Sequence, residues 1–317
     1  MLVWILRRAL LSLLVLFGVS VLIFLATQAL PGDPAVQILG HTATPEQLDE
    51  LRKQLGLDQS LLDQYLTWLG NVLTGSLGQS LTSPQSVSSL LIDRGLASLA
   101  LVLSSALIAI PLAVVMGSVG AVRRDRPLDH ATQGIFLVLT ALPEFVIGLG
   151  LLILLGTTVF KVLPTVALIP SGGAAFTHPK ELALPVLTLV LAVLPYLTRL
   201  QRAAMIDVLE SDFIQMARLK GLPERVVVRR HALRNSLVPV VQGSALTLIY
   251  LTGGIVAIEY LFAYPGLGSA LTTAVAGRDL PVVQAIVLLL ASVYVVVNLV
   301  ADLLTVLLVP RLRTRRA

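Results

Sequence analysis

The chain has 317 residues and a mean hydropathy of +0.89; its 13% of charged residues is about half the share of a soluble domain, a composition that excludes an ordinary water-soluble protein and points to the membrane class. The formal charge of +5 fits arginines flanking apolar runs better than a nucleic-acid partner. With no cysteine in the chain, neither a disulfide framework nor a thiolate metal site is available.

A crossing helix needs about 20 mostly apolar residues. Six stretches meet or approach that length: residues 9–30, 96–122, 131–160, 182–198, 237–258 and 281–309. The first follows Arg7 and Arg8, and its apolar run is longer than that of a secretory leader, so it reads as a retained span. With a cytoplasmic N-terminus, six spans put most of the 23 basic residues inside. They fall near Arg7, at Arg123 to Arg126, over the stretch from Arg199 to Arg234, and in the tail from Arg311. The expected fold is therefore an all-α polytopic membrane protein with both termini cytoplasmic. Its divisions are an N-terminal tail and first span (1–30), an extracytoplasmic insertion (31–95), a core of five spans (96–309) with a cytoplasmic loop near 205–235, and a short tail (310–317).

The insertion opens on the turn formers LPGDP, residues 30–34. TPEQLDELRKQLGL predicts a capped helix: Thr44 as N-cap, Pro45 at the first helical position, Gln47 completing a capping box and Gly56 just past the end. A second helix follows, with Leu62, Tyr65, Leu66 and Leu69 on one face. Seven acids against three bases make this segment net negative. It reads either as a solvated loop or as a docking surface for a soluble protein that delivers cargo.

Charges within spans are costly. Glu144, after Pro143, either lines a cavity or pairs with a neighbouring helix. Glu259, at the end of the fifth span, and Asp302, in the sixth, read as interfacial. Pro111, Pro143, Pro185 and Pro195 can kink their helices. The four histidines are scattered, without metal-ligand spacing.

Between the fourth and fifth spans the apolar pattern is interrupted by a basic amphipathic stretch. Ile206, Leu209, Phe213, Met216 and Ala217 recur at helical spacing, acids stand early and Arg218 and Lys220 late, Gly221 suits the helix end, and Pro223 can start a second short helix. This predicts a helix, a glycine turn and a helix, with an exposed apolar face centred on Phe213. It is either an amphipathic segment on anionic lipid or a knob for a partner's groove.

DFIQMARLKGLPERVVVRRHALRNSLVP, from Asp212 to Pro239, resembles the "EAA" cytoplasmic loop of ABC-type import permeases. LPGDP after the first span, LGLDQSLLDQYLTWLGNVLTGSLGQSL, EYLFAYPGLGSALTTAVAGRDLPVVQA and NLVADLL are similar to the dipeptide/oligopeptide/nickel permeases, in the form that carries an outer insertion. Two departures stand out: the E-A-A triplet is Gln215-Met216-Ala217 here, and the family's DPR is Val309-Pro310-Arg311. The resemblance implies the type I ABC importer permease fold and location in the bacterial inner membrane. It implies a coupling helix, carried over to Ser211, Asp212, Phe213, Ala217, Arg218, Lys220 and Gly221, which two cytoplasmic ATPases grip on this chain and on a sister permease. An extracytoplasmic binding protein would deliver a di- or oligopeptide, or alternatively nickel or a metal chelate; Glu144 and Glu259 are candidates for a cavity or gate. No lysine follows a glycine, so the chain has no phosphate-binding loop of the G-x-x-x-x-G-K-[ST] form. ATP and magnesium are expected on the partners and no cofactor on this chain. A self-sufficient, ion-coupled transporter built around Glu144 is the remote alternative.

Overall fold

A computed structural model describes residues 2–29, 34–40, 43–54, 56–167, 169 and 177–308. The first four residues of LPGDP, His41 and the Val309-Pro310-Arg311 departure lie outside the described residues, as does the side chain of Asp302. The described residues are helical and turn structure apart from one isolated bridge between Gln79 and Ser86. In chain order the helices are α1 (Leu2–Gln28), α2 (Pro34–Leu39), α3 (Pro45–Gln54), α4 (Leu61–Leu73), α5 (Val87–Val122), α6 (Pro127–Ala141), α7 (Glu144–Leu151), α8 (Pro179–Leu209), α9 (Asp212–Leu219), α10 (Glu224–Val226), α11 (Leu233–Leu261), α12 (Leu267–Ala276) and α13 (Leu280–Leu308). Five of these helical runs are long and apolar enough to cross a membrane, and a bent pair makes a sixth.

That bent pair corrects the expectation of one continuous span over residues 131–160. α6 and α7 meet at 108°. The cause is local: a proline disfavours helical geometry at the residue before it. Leu142 accordingly takes φ −96°, ψ 132° ahead of Pro143. The Pro143 carbonyl then starts the new helix, accepting from the amides of Val146 and Ile147. α7 runs on through a π-helical turn, Leu152–Thr157. Pro111, Pro185 and Pro195 lie inside helices that continue through them.

The chain forms two compact units. The first holds residues 1–98 and 265–296. Its α3 carries the expected capping box: the Thr44 amide donates to Gln47 Oε1 at 3.0 Å, the Gln47 amide to Thr44 Oγ1 at 3.4 Å, and Gly56 sits at φ +66°. α4 is capped by Ser60, which accepts from the Asp63 amide, but its apolar face differs from the expectation. Leu62 and Leu66 point outward, while Tyr65 and Trp68 turn towards Phe24 of α1, with ring centroids 5.4 and 5.9 Å away. Gln64 completes this face by accepting from Gln28. Aromatic contacts and a paired amide hold α4 on α1, and the flanking leucines are left outside. α5 starts at Val87, well before the apolar run that predicted a span from residue 96, because Ser86 caps it and Val87 and Leu91 bury against Leu267, Val282 and Ile286.

The second unit holds residues 99–264 and 297–317, with α8 at its centre against α6, α7 and α11. α5 approaches α8 so closely that a Cβ on Gly117 would lie 2.7 Å from the Thr198 carbonyl oxygen; only glycine allows that distance. Beside this crossing Gln201 is fully buried and donates to Ser118 of α5 and Ser236 of α11, each at 3.0 Å. One amide thereby ties three helices.

Candidate functional site

The basic stretch after α8 folds into an elbow. α8 ends at Leu209, and Ser211, with extended backbone (φ −72°, ψ 151°), starts α9. The Ser211 hydroxyl donates back to the Val208 carbonyl at 2.5 Å, and Asp212 places its charge at the positive end of the new helix. The single helical face expected from Ile206 to Ala217 is therefore split at Glu210. Ile206 and Leu209 pack inward from α8. On α9, Ile214 and Ala217 are buried with Met205, Val227 and Ala232, whereas Phe213, Met216 and Leu219 are 48%, 54% and 81% exposed. Ala217 thus seats the elbow on the bundle, and an apolar ridge of three side chains stands free on the outer face.

The far end of α9 closes by a glycine-dependent motif. The Leu222 amide donates to the Ala217 carbonyl and the Gly221 amide to that of Arg218. Gly221 adopts φ +77°, a left-handed conformation that costs a side-chain-bearing residue about 1–2 kcal/mol. Lys220 is exposed, but Arg218 reaches across the turn and grips Glu224 of α10 with two hydrogen bonds of 2.8 and 3.2 Å. The Glu224 hydrogen bond raises the Arg218 pKa above its ordinary value, so the guanidinium stays charged at any physiological pH. The second helix of the elbow is not the short separate one expected: from Glu224 it runs through α10 and a π-helical turn, Val227–Ala232, straight into α11 as one 38-residue helix. That rigid run ties the elbow to a membrane span.

Beneath the elbow, Arg202 of α8 forks onto Asp129 of α6 at 2.8 and 2.5 Å, and the Asp125 amide donates to the same carboxylate. The Asp129 side chain is 1% exposed. Arg124 reaches Glu210, at the mouth of the elbow, at 2.7 Å. In the sequence Arg124 and Arg202 read only as topology charges and Glu210 only as an acid at the start of a helix, while nothing there marks Asp129 or Gln201. Their partners are far away in the chain, so no local spacing signals them.

The two acids proposed for a cavity or gate lie elsewhere. Glu144 opens α7 at the bend and accepts from the Tyr250 hydroxyl of α11 at 3.0 Å. Glu259 is fully buried near the end of α11; the chain turns back over it, the Tyr264 amide donating to its main-chain carbonyl.

Residues 109–314 match the family described as binding-protein-dependent transport system inner membrane component, and residues 1–102 match the N-terminal part of that membrane component. The chain is 37% identical to a protein of Brucella abortus (strain 2308) named a peptide transport system permease, over 98% of each chain. It is equally 37% identical to the glutathione transport system permease protein of Escherichia coli (strain K12), over 99% of each. A Brucella suis peptide transport system permease is 36% identical over 97% of this chain and 98% of that one. With matches along nearly its whole length, the chain belongs to the binding-protein-dependent transport system inner membrane components: it is a multi-pass permease of the ABC import class, a transport subunit and not itself an enzyme.

Proposed function

We propose that this chain is one of two permease subunits in an importer of short peptides, driven by a pair of cytoplasmic ATPases. The cargo class is carried over from relatives named for peptide and for glutathione transport; these names do not favour the nickel or chelate alternative. A binding protein delivers the peptide from outside, a paralogous permease forms the other half of the pore, and both termini of this chain face the cytoplasm. ATP and magnesium act on the ATPases, and this chain carries no cofactor.

The observation that carries the mechanical part is the α9 ridge. Phe213, Met216 and Leu219 are exposed on a short helix whose other face is fixed to the bundle by Ile214 and Ala217. An apolar ridge with rigid backing suits a groove on a partner. Ser211 and Asp212 set the ridge's start, Lys220 and Gly221 its end, and Arg218 braces it on α10. Closure of the ATPases pushes this ridge, and the continuous helix from Glu224 to Leu261 carries the movement into the membrane. The test is Phe213→Asp in the assembled complex. Uptake of a labelled peptide is expected to fall more than tenfold, with normal amounts of complex in the membrane and binding-protein-stimulated ATP hydrolysis lost. Unchanged uptake would remove the elbow from the coupling path.

A further inference from the structure

The bend between α6 and α7 leaves a cleft of about 380 Å³ in the second unit, walled by Thr140, by Tyr196 of α8 and by Leu246, Thr247 and Tyr250 of α11. That volume is within the range of small-ligand sites. Two opposite charges are hooked to hydroxyls of this wall. Glu144 accepts from Tyr250 at 3.0 Å. Arg199 donates to Thr140 Oγ1 at 3.2 Å and to the Pro195 carbonyl of its own helix at 3.3 Å. Among the described residues neither charge forms an ion pair. Glu144 stands within the bent span, where a charge marks water-lined or ligand-lined space because hydrocarbon penalises it; Arg199 follows the apolar stretch 182–198 of α8.

The two charges stand at different levels of the bundle. Leu200, next to Arg199, touches α11 at Gly243, and Glu144 touches α11 at Tyr250 and Gly254. At about 1.5 Å of rise per residue, these contacts are separated by roughly 10–16 Å along α11. Arg199 folds back one turn of α8 to the Pro195 carbonyl, which shortens the interval between the two charged groups to roughly 5–11 Å; at about 3.3–3.6 Å per residue, an extended peptide of two or three residues covers it. A guanidinium fork matches a carboxylate, a glutamate matches an ammonium, and the hydroxyls between them suit main-chain amides.

We infer that this cleft binds short zwitterionic peptides, with the α-ammonium at Glu144 and the α-carboxylate at Arg199. The inference rests on the peptide-import reading and places cargo recognition within the permease itself. The chain has no cysteine, so Leu246→Cys installs a single thiol on the cleft wall. In membranes containing the full complex, trialanine is expected to slow maleimide labelling of this thiol several-fold, and N-acetyl-trialanine amide to leave the rate unchanged. Adding Glu144→Gln or Arg199→Gln should raise the half-protecting trialanine concentration about tenfold, the loss of one charge-assisted contact; Glu144→Asp and Arg199→Lys should restore part of it. Absence of protection, equal protection by the blocked peptide, or full protection in both neutral variants would overturn the site. If a neutral variant fails to assemble, the two peptides compared on the Leu246→Cys chain decide alone. Trialanine uptake by the wild-type complex separates the two levels: uptake without protection removes this site only, whereas absence of both removes the peptide reading as well.

Discussion

Asp129 shows how differently two ion pairs of similar length weigh. Its carboxylate is 1% exposed and is held by both Nε and NH2 of Arg202, whereas Arg124 and Glu210 are 49% and 65% exposed. Breaking a buried pair leaves an uncompensated charge and costs about 3–5 kcal/mol, while exposed pairs contribute about 0–1 kcal/mol. Asp129→Asn is therefore expected to lower the thermal midpoint of the purified complex by several degrees, and Arg124→Ala to shift it little. Paired unfolding curves check this, and equal shifts would contradict the burial argument. The same contrast explains which residues escaped notice in the sequence. Asp129 looks like any loop acid until Arg202, on another helix, closes on it.

At the scale of the element, α9 ends where Gly221 takes φ +77° with open space around the position of a Cβ. A substitution there meets no clash and suffers only from the backbone. Gly221→Val should cost about 1–2 kcal/mol locally and lower the ratio of peptide uptake to ATP hydrolysis, whereas Gly221→Asn, which tolerates that conformation, should keep most coupling. Transport and hydrolysis measured together in proteoliposomes decide it; equal coupling in the two variants would refute it. The punctuation of this elbow was readable beforehand, since Gly221 and Pro223 act through their own backbones. The capping box of α3 was readable for the same reason. The outward-facing set was only partly readable, because helical spacing was carried across Glu210, where Ser211 starts a new axis. On α4, periodicity placed Tyr65 on the packing face together with Leu62 and Leu66, but the aromatic partner on α1 pairs Tyr65 with Trp68 and leaves those leucines outside. Pro143 was noted as a possible kink, yet the 108° bend depends on Leu142 turning extended and on the Pro143 carbonyl nucleating a fresh helix. Composition separates apolar from polar; it does not choose which apolar side chains meet.

For the molecule as a whole, the first unit joins the N-terminal part of the chain to residues 265–296. The Gln284 amide donates to Thr27, the Leu267 amide to Ser98, and Asp279, 1% exposed, takes the hydroxyls of Ser80 and Thr82. Thr27 and Gln284 are 257 residues apart, Ser98 and Leu267 169. Asp279→Ala should leave the Ser80–Thr82 turn without its acceptor, and limited proteolysis of the intact complex should then cut between α4 and α5 several-fold faster; an unchanged cleavage rate would show that the apolar core of that unit suffices. These distant pairings also set a timetable for manufacture. At about 5–20 residues per second of translation, the segment up to Ser98 leaves the ribosome roughly 10–30 seconds before Leu267 is made. For that interval the newborn front end has no C-terminal counterpart to close upon.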